Sequence, residues 1–256
     1  MPEPREWFAV LRSSHDRLVS LIDGLSAEAL TGPSYDSEWT VAQVLSHLGS
    51  GAEIFSRFLD AGLSGGEPPG RDEFAPVWEA WNSRRPEQQA EQCEVVDRAF
   101  VERLESLDDE AISKLHLSIF GMELDAAGLA RMRLSEHAVH TWDIAVALDP
   151  QAQLSPDAVS LLVDHLGQMV TRVGKVQDEH LRVHVKTREP DRDLLLCIED
   201  EVRLTDADGS AQSTLELPAE ALVRLVYGRL DPRHTPGDLK TTGVDLEALR
   251  KVFPGL

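Results

Sequence analysis

Cysteine is scarce in this chain. Of 256 residues only Cys93 and Cys197 are thiols, and neither has a C-x-x-C partner, which argues against a dithiol redox centre. Two reduced, structural thiols of a cytoplasmic protein are the expectation. The opening Met1-Pro2-Glu3-Pro4-Arg5-Glu6 is charged and lacks the apolar stretch of a secretion signal. No run of about 18 apolar residues occurs, so no membrane span is expected. Positive charge is also thin, with 25 basic residues against 45 acidic ones and a net charge of −20. That balance excludes binding of nucleic acid by bulk electrostatics, which needs Lys and Arg to displace phosphate counterions. Anionic membrane surfaces are disfavoured for the same reason, although a local basic pocket for a small anion remains compatible. Lysine occurs only at Lys114, Lys175, Lys186, Lys240 and Lys251, so the basic complement is mostly arginine, as in GC-rich coding sequence. A G-x-S-x-G elbow, a P-loop and a G-x-G-x-x-G turn are all missing.

What is present is ordinary globular composition, 42% hydrophobic and 27% charged. A chain of this length buries roughly 70–75% of its unfolded surface and needs no disulfide staples. The first part reads as helices. Phe8, Leu11, Leu18, Leu21, Ile22 and Leu25 share a face between Pro4 and Leu25. A capping box, Thr40-x-x-Gln43, opens a helix to Leu63, and Ser64–Gly70 breaks it. A short helix is predicted over Val77–Ser83, a long one from Pro86 to Leu107, and another from Asp125 to Leu148, ended by Asp149-Pro150. Long helices joined by loops suit a four-helix bundle or a less regular helical domain. Ser155-Pro156 opens one more helix to Arg172, and then the period changes. Leu181–Lys186 and Ala211–Leu217 alternate as half-buried strands do, and Leu194–Ile198 and Val202–Leu204 are apolar runs of strand length. Helices are predicted over Pro218–Arg229 and Asp245–Phe253. The second part is therefore α+β, with a boundary near Pro150–Pro156.

Two helices carry chemistry-bearing residues within otherwise apolar faces. On Asp125–Leu148, Met132, Glu136, His140, Ile144 and Ala147 follow one face, with the carboxylate and imidazole a turn apart. On Thr40–Leu63, His47 interrupts the stripe Val44, Gly51, Ile54 and Phe58. Two inward histidines and one inward glutamate have the number and type of ligands of a catalytic zinc site with an open position. Spacing alone leaves open an ordinary Glu–His pair beside an unrelated core histidine. His137 points about 100° away from Glu136 around the helix and is expected beside the site or in solvent.

The run Trp39-Thr40-Val41-Ala42-Gln43-Val44-Leu45-Ser46-His47-Leu48 resembles the start of the metal-binding helix in the DinB-like superfamily. More closely, it is similar to the mycothiol-dependent maleylpyruvate isomerase family. Arg133-Leu134-Ser135-Glu136-His137-Ala138-Val139-His140-Thr141-Trp142-Asp143 resembles that family's E-x-x-x-H-x-W-D signature. The resemblance covers nearly the whole chain. It implies a DinB-like four-helix bundle over residues 1–150 and a smaller α+β domain over 151–256. It also implies a divalent metal, usually zinc, on His47, Glu136 and His140. Leu225-Val226-Tyr227-Gly228-Arg229 resembles a Gly-Arg helix end whose arginine reaches the active site, which implies a catalytic role for Arg229. The residue-level alternative is an arginine on the carboxyl end of its own helix. One departure is visible: Asp36-Ser37-Glu38-Trp39 stands where members often have Cys-Pro-Gly-Trp. That loop holds no metal ligand in the family, so the departure bears on pocket shape and substrate.

The chemistry so implied starts from a thiol whose ordinary pKa, about 8.5, leaves little thiolate at neutral pH. A metal with an open position deprotonates it. The thiolate of mycothiol can then add to an electron-poor double bond, allow rotation and leave, or attack a small electrophile and stay attached. Arg229 would bind a carboxylate of substrate or cofactor, and Asp143 would orient His140 unless it forms a surface ion pair. Two other readings remain: an iron-type two-His-one-carboxylate enzyme, and a non-catalytic stress or small-molecule-binding protein that keeps the metal structurally. Oligomeric state is not legible.

Overall fold

A computed structural model describes residues 2–35, 38–119, 121–177 and 180–255. Asp36 and Ser37, half of the departure just noted, lie outside the described residues. The chain divides into two compact units, Met1–Gln153 and Leu154–Leu256.

The first unit is built from long helices. Helix α1 (Pro4–Ile22) starts with proline in its first turn and buries Trp7, Phe8, Leu11 and Leu18. After the short α2 (Ala27–Thr31), α3 (Val41–Ser64) opens with the predicted capping box. The Thr40 hydroxyl accepts from the Gln43 amide, and the Gln43 side chain accepts from the Thr40 amide. Gly65 ends α3 in the left-handed region, at φ 66°. Then come α4 (Phe74–Asn82), α5 (Pro86–Glu105) and α6 (Asp109–Lys114). A small antiparallel pair, β1 (Leu117–Ile119) with β2 (Met122–Leu124), precedes α7 (Ala126–Leu148). Helix α3 packs on α4, α5 and α7, and α1 packs on α5 and α7. The expectation that this part is wholly helical misses β1 and β2, and α2 and α6 are too short to show a period.

Helix α7 departs from the single-stripe reading. Leu129, Ala130, Leu134, Ala138, Val139, Trp142 and Ile144 are buried on several sides of it, as in a helix enclosed by neighbours. Its least buried line is the one that carries Met132, Glu136 and His140, and Ala147 is exposed. The predicted inward face is thus the side that solvent reaches, because the other sides are taken by packing on α1 and α3.

The second unit begins with α8 (Pro156–Leu162), a 3-10 turn over Val163–His165 and α9 (Leu166–Val173). The single helix predicted here is therefore broken. Val163, Leu166 and Val170 stay buried through the break, so the tighter turn leaves the apolar stripe intact. Strands β3 (Leu181–Arg188), β4 (Arg192–Ile198), β5 (Val202–Asp206), β6 (Ser213–Pro218) and β7 (Lys240–Thr242) form one sheet, ordered β5-β4-β3-β6-β7. The β3–β6 pair is parallel and the rest are antiparallel. Helix α10 (Ala219–Val226) packs on β3 and β6 and on α8 and α9. Helix α11 (Leu246–Val252) closes the unit. Strand β7 is exposed at all three residues and so carries no alternation to read. Among the described residues no helix is long and apolar enough to cross a membrane.

Candidate metal centre

The capping box fixes where α3 starts, and so places His47 two turns into the helix. On α7, Asp125 caps the first turn by accepting from the Gly128 amide at 2.7 Å. Glu136 and His140 follow on one line of that helix. The two helices bring their side chains together: His47 Nε2 lies 3.4 Å and His140 Nε2 3.7 Å from Glu136 Oε2. One ligand-type atom from each residue lies within 4.8 Å of the others. The imidazoles meet edge to face, centroids 4.6 Å apart. The side chains of His47, Glu136 and His140 keep 35%, 32% and 15% of their exposure, so the cluster is recessed yet open on one side.

Glu136 and His47 are held in the protonation states that a cation needs, and His140 would give up a proton to bind one. Burial alone would raise the Glu136 carboxyl, but hydrogen bonds and charge from His140 and His47 outweigh it and hold the group ionised, well below the usual carboxylate range. Burial pushes His47 down, towards neutral imidazole. For His140 the same burial is outweighed by the Asp143 and Glu136 carboxylates, and its pKa rises. Asp143 is buried, with Oδ2 2.9 Å from His140 Nδ1. It is therefore no surface ion pair. It fixes the imidazole with its Nε2 turned to Glu136. The Trp39 ring stands 5.4 Å from His47 and stacks at 6.4 Å and 15° on His140.

His137 is neither in solvent nor part of this cluster. It is fully buried on the other side of α7, in a network that sequence reasoning did not find. Its Nε2 donates to Asp97 Oδ2 at 3.0 Å, and Ser14 donates to its Nδ1 at 2.8 Å. His15 Nδ1 meets the same Asp97 oxygen at 2.7 Å, and Arg133 Nη2 donates to Asp97 Oδ1 at 2.6 Å. His15, Asp97 and His137 have metal-ligand spacing as well. However, the carboxylate already accepts three donors, including a guanidinium, so the group is a closed hydrogen-bond network and unsuited to a cation. The signal for Asp97 was available in the sequence: on α5 it interrupts a buried stripe of Cys93, Phe100, Val101 and Leu104, just as His47 interrupts its own.

Arg229 lies in the second unit, just past α10 and after Gly228 in a left-handed turn (φ 72°). Its Nη1 donates to the Tyr227 carbonyl at 2.7 Å, which is the helix-end contact named as the alternative. Cys93 and Cys197 are buried, and burial pushes the Cys93 thiol up, out of reach of thiolate chemistry near neutral pH.

Residues 11–145 match the family model described as the mycothiol maleylpyruvate isomerase N-terminal domain. The chain belongs to that family. The matched span takes in His47, Glu136 and His140. A solved structure of the mycothiol-dependent maleylpyruvate isomerase superposes with a TM-score of 0.71 at 13% identity, covering 94% of this chain and 93% of that one. A histidine-to-alanine mutant of the same isomerase gives 0.70 with the same coverage. At that identity the likeness establishes the fold: helical, with a C-terminal sheet-bearing part. A protein of Geobacillus thermodenitrificans (strain NG80-2), provisionally described as a metal-dependent hydrolase, is 46% identical over 44 residues. That stretch is 17% of this chain and a quarter of the relative.

Proposed function

We propose that the chain is a mycothiol-dependent metalloenzyme of the maleylpyruvate isomerase type. In this reaction a thiolate adds to an electron-poor double bond, the resulting single bond rotates, and the same thiolate leaves. The observation that carries the reading is the convergence of His47, Glu136 and His140 in a member of this family, with His140 oriented by a buried Asp143. Two imidazole nitrogens and one carboxylate oxygen, drawn together and open on one side, fit a divalent cation of the zinc type with a free coordination position. Bound there, such a cation would lower the pKa of a small thiol and supply it as thiolate.

The chain's own residues do the rest. Asp143 holds the His140 tautomer. Glu136 contributes the negative charge that offsets part of the cation's. Trp39 walls one side of the imidazole pair. Cys93 is buried and held protonated, so the sulfur comes from outside, as mycothiol or a similar low-molecular-weight thiol. Arg229 is assigned the carboxylate of substrate or thiol cofactor, where a guanidinium gives bidentate recognition. The same activated thiolate serves S-transfer if the electrophile retains it.

The mutual packing of α1, α5, α3 and α7 supports reading residues 1–150 as a DinB-like four-helix bundle that carries the metal. The second unit supports a smaller α+β domain over 151–256. A cytoplasmic location and small-molecule partners complete the proposal.

The test is metal content of protein purified without added metal, followed by turnover of maleylpyruvate with and without mycothiol. About one zinc per chain and strict thiol dependence support the reading. Equal rates without thiol sink it. Bound iron with oxygen consumption points instead to oxygen chemistry at the same residues, and metal without turnover on any electrophile points to a binding role.

A further inference from the structure

We infer that Asp97, with Arg133, is the positioning device that sets α3 against α7 and so brings His47 to Glu136 and His140. The inference rests on the metal reading above and adds Asp97, which lies outside both motif runs, and Arg133, which opens the second run with no role assigned to it.

Asp97 sits on α5, completely buried, and collects contacts from two other helices. From α7 come Arg133 at 2.6 Å and His137 at 3.0 Å. From α1 comes His15 at 2.7 Å, while Ser14 of the same helix holds the far nitrogen of His137. The fourth helix is reached through Arg133, whose Nη2 also donates to the Leu48 carbonyl of α3 at 2.8 Å. Leu48 is the residue after His47. Arg133 lies one turn before Glu136, and His137 directly follows Glu136. The network therefore grips α3 and α7 within a turn of the candidate ligands on both helices, from the buried side. Its charges pair, one carboxylate with one guanidinium, and two imidazoles meet the same carboxylate, while the buried Arg133 Nε is left without a partner.

The space on α3 beside Arg133 fits this position of the guanidinium, which its bonds to Leu48 and Asp97 hold there. A methyl group built at Gly51 would approach Arg133 Nη1 to 2.9 Å and would meet nothing else but that guanidinium within 4 Å. Gly51 is one turn beyond His47, so the helix leaves room there for the guanidinium to reach Leu48 and Asp97. Glycine inside a helix costs about 1 kcal/mol relative to alanine. Close approach of Arg133 is the physical reason for it at this position.

The experiment is Co2+ titration of the apo full-length protein against a competing chelator, reading both affinity and the visible ligand-field spectrum. Wild type is compared with His47→Ala first. Absence of Co2+ binding by wild type, or undiminished binding by His47→Ala, overturns the metal reading and this inference with it. With that reading intact, Gly51→Ala is decisive. It removes no member of the network, favours the helix, and displaces only the guanidinium. Expected are at least roughly tenfold weaker Co2+ binding, the scale seen when partners of metal ligands are disturbed, and an altered ligand-field band with cooperative thermal unfolding retained. Asp97→Asn should weaken binding further where it folds. Arg98→Ala, which removes an exposed α5 pair with Glu94, should leave affinity unchanged. Wild-type affinity and spectrum in folded Gly51→Ala overturns the positioning role alone, leaving the metal reading in place.

Discussion

Asp143 Oδ2 lies 2.9 Å from His140 Nδ1, and its carboxylate is buried. A buried acceptor on one imidazole nitrogen leaves the other available as a ligand and raises its basicity. Asp143→Ala should therefore lower zinc affinity by roughly 10–100-fold while the helix content in circular dichroism stays unchanged. Asp143→Asn, which keeps an acceptor but not the charge, should fall between. Chelator competition at neutral pH measures both.

Asp97 makes stability depend on pH. Burial opposes its charge, but His137, Arg133 and His15 outweigh that and hold the folded-state carboxyl well below its usual value. A group with a depressed folded pKa takes up protons more readily when unfolded, so stability falls as pH falls. The Asp97 contribution is fully present above its ordinary value of about 3.9 and drains away as pH drops below it. Urea unfolding between pH 7 and pH 3 should show that slope. Asp97→Asn should flatten it and cost about 3–5 kcal/mol at pH 7, since Arg133 then keeps a buried charge without its partner.

The two cysteines should be dispensable for chemistry. Cys93→Ser with Cys197→Ser should retain thiol-dependent turnover close to wild type. It should also lose roughly 1–3 kcal/mol of stability, because a hydroxyl replaces a buried thiol at each position. Loss of turnover in a folded double variant would move the reacting sulfur inside the chain.

Arg229→Lys should separate turnover from metal content. A point-charge ammonium cannot copy a planar fork at a carboxylate, so turnover should fall at least roughly tenfold, one bidentate contact being a charge-assisted one, with metal content unchanged. If Arg229 serves only the Tyr227 carbonyl, turnover stays and the melting temperature drops slightly.

Limited proteolysis should cut within residues 149–153, which are mostly exposed and in no helix or strand. Cutting should be slowed by two anchors, since Trp142 Nε1 donates to the Ala152 carbonyl and Arg17 to the Gln153 carbonyl. Trp142→Phe should accelerate it, as followed by the time course of fragments.

The sequence made the long helices readable because their caps and apolar periods are local features. The Thr40–Gln43 box and Asp149-Pro150 mark ends without any knowledge of neighbours. It also exposed His47, Glu136 and His140, as polar residues set in apolar lines. What escaped was decided by tertiary contact. Short elements such as β1, β2 and β7 owe their form to pairing. Helix α7 is enclosed on so many sides that a single apolar stripe is the wrong template, and the line taken as innermost is the most open. Asp97 breaks a stripe on α5 as His47 does on α3, but its partners Arg133, His137 and His15 lie on helices distant in sequence, so the network itself could not be read from spacing.

Trp39 has a practical consequence. Its indole lies within 6.4 Å of both imidazole rings and is partly exposed; Trp7, Trp81 and Trp142 are buried, and the other exposed indole, Trp78, belongs to α4, so its emission is the background against which Trp39 is read. The molecule thus carries its own optical gauge beside the cluster. Emission from that indole should dim when a quenching ion such as Cu2+ enters and recover when a chelator withdraws it, and Trp39→Phe should silence the signal. Occupancy could then be followed in real time, without a label and without waiting for turnover.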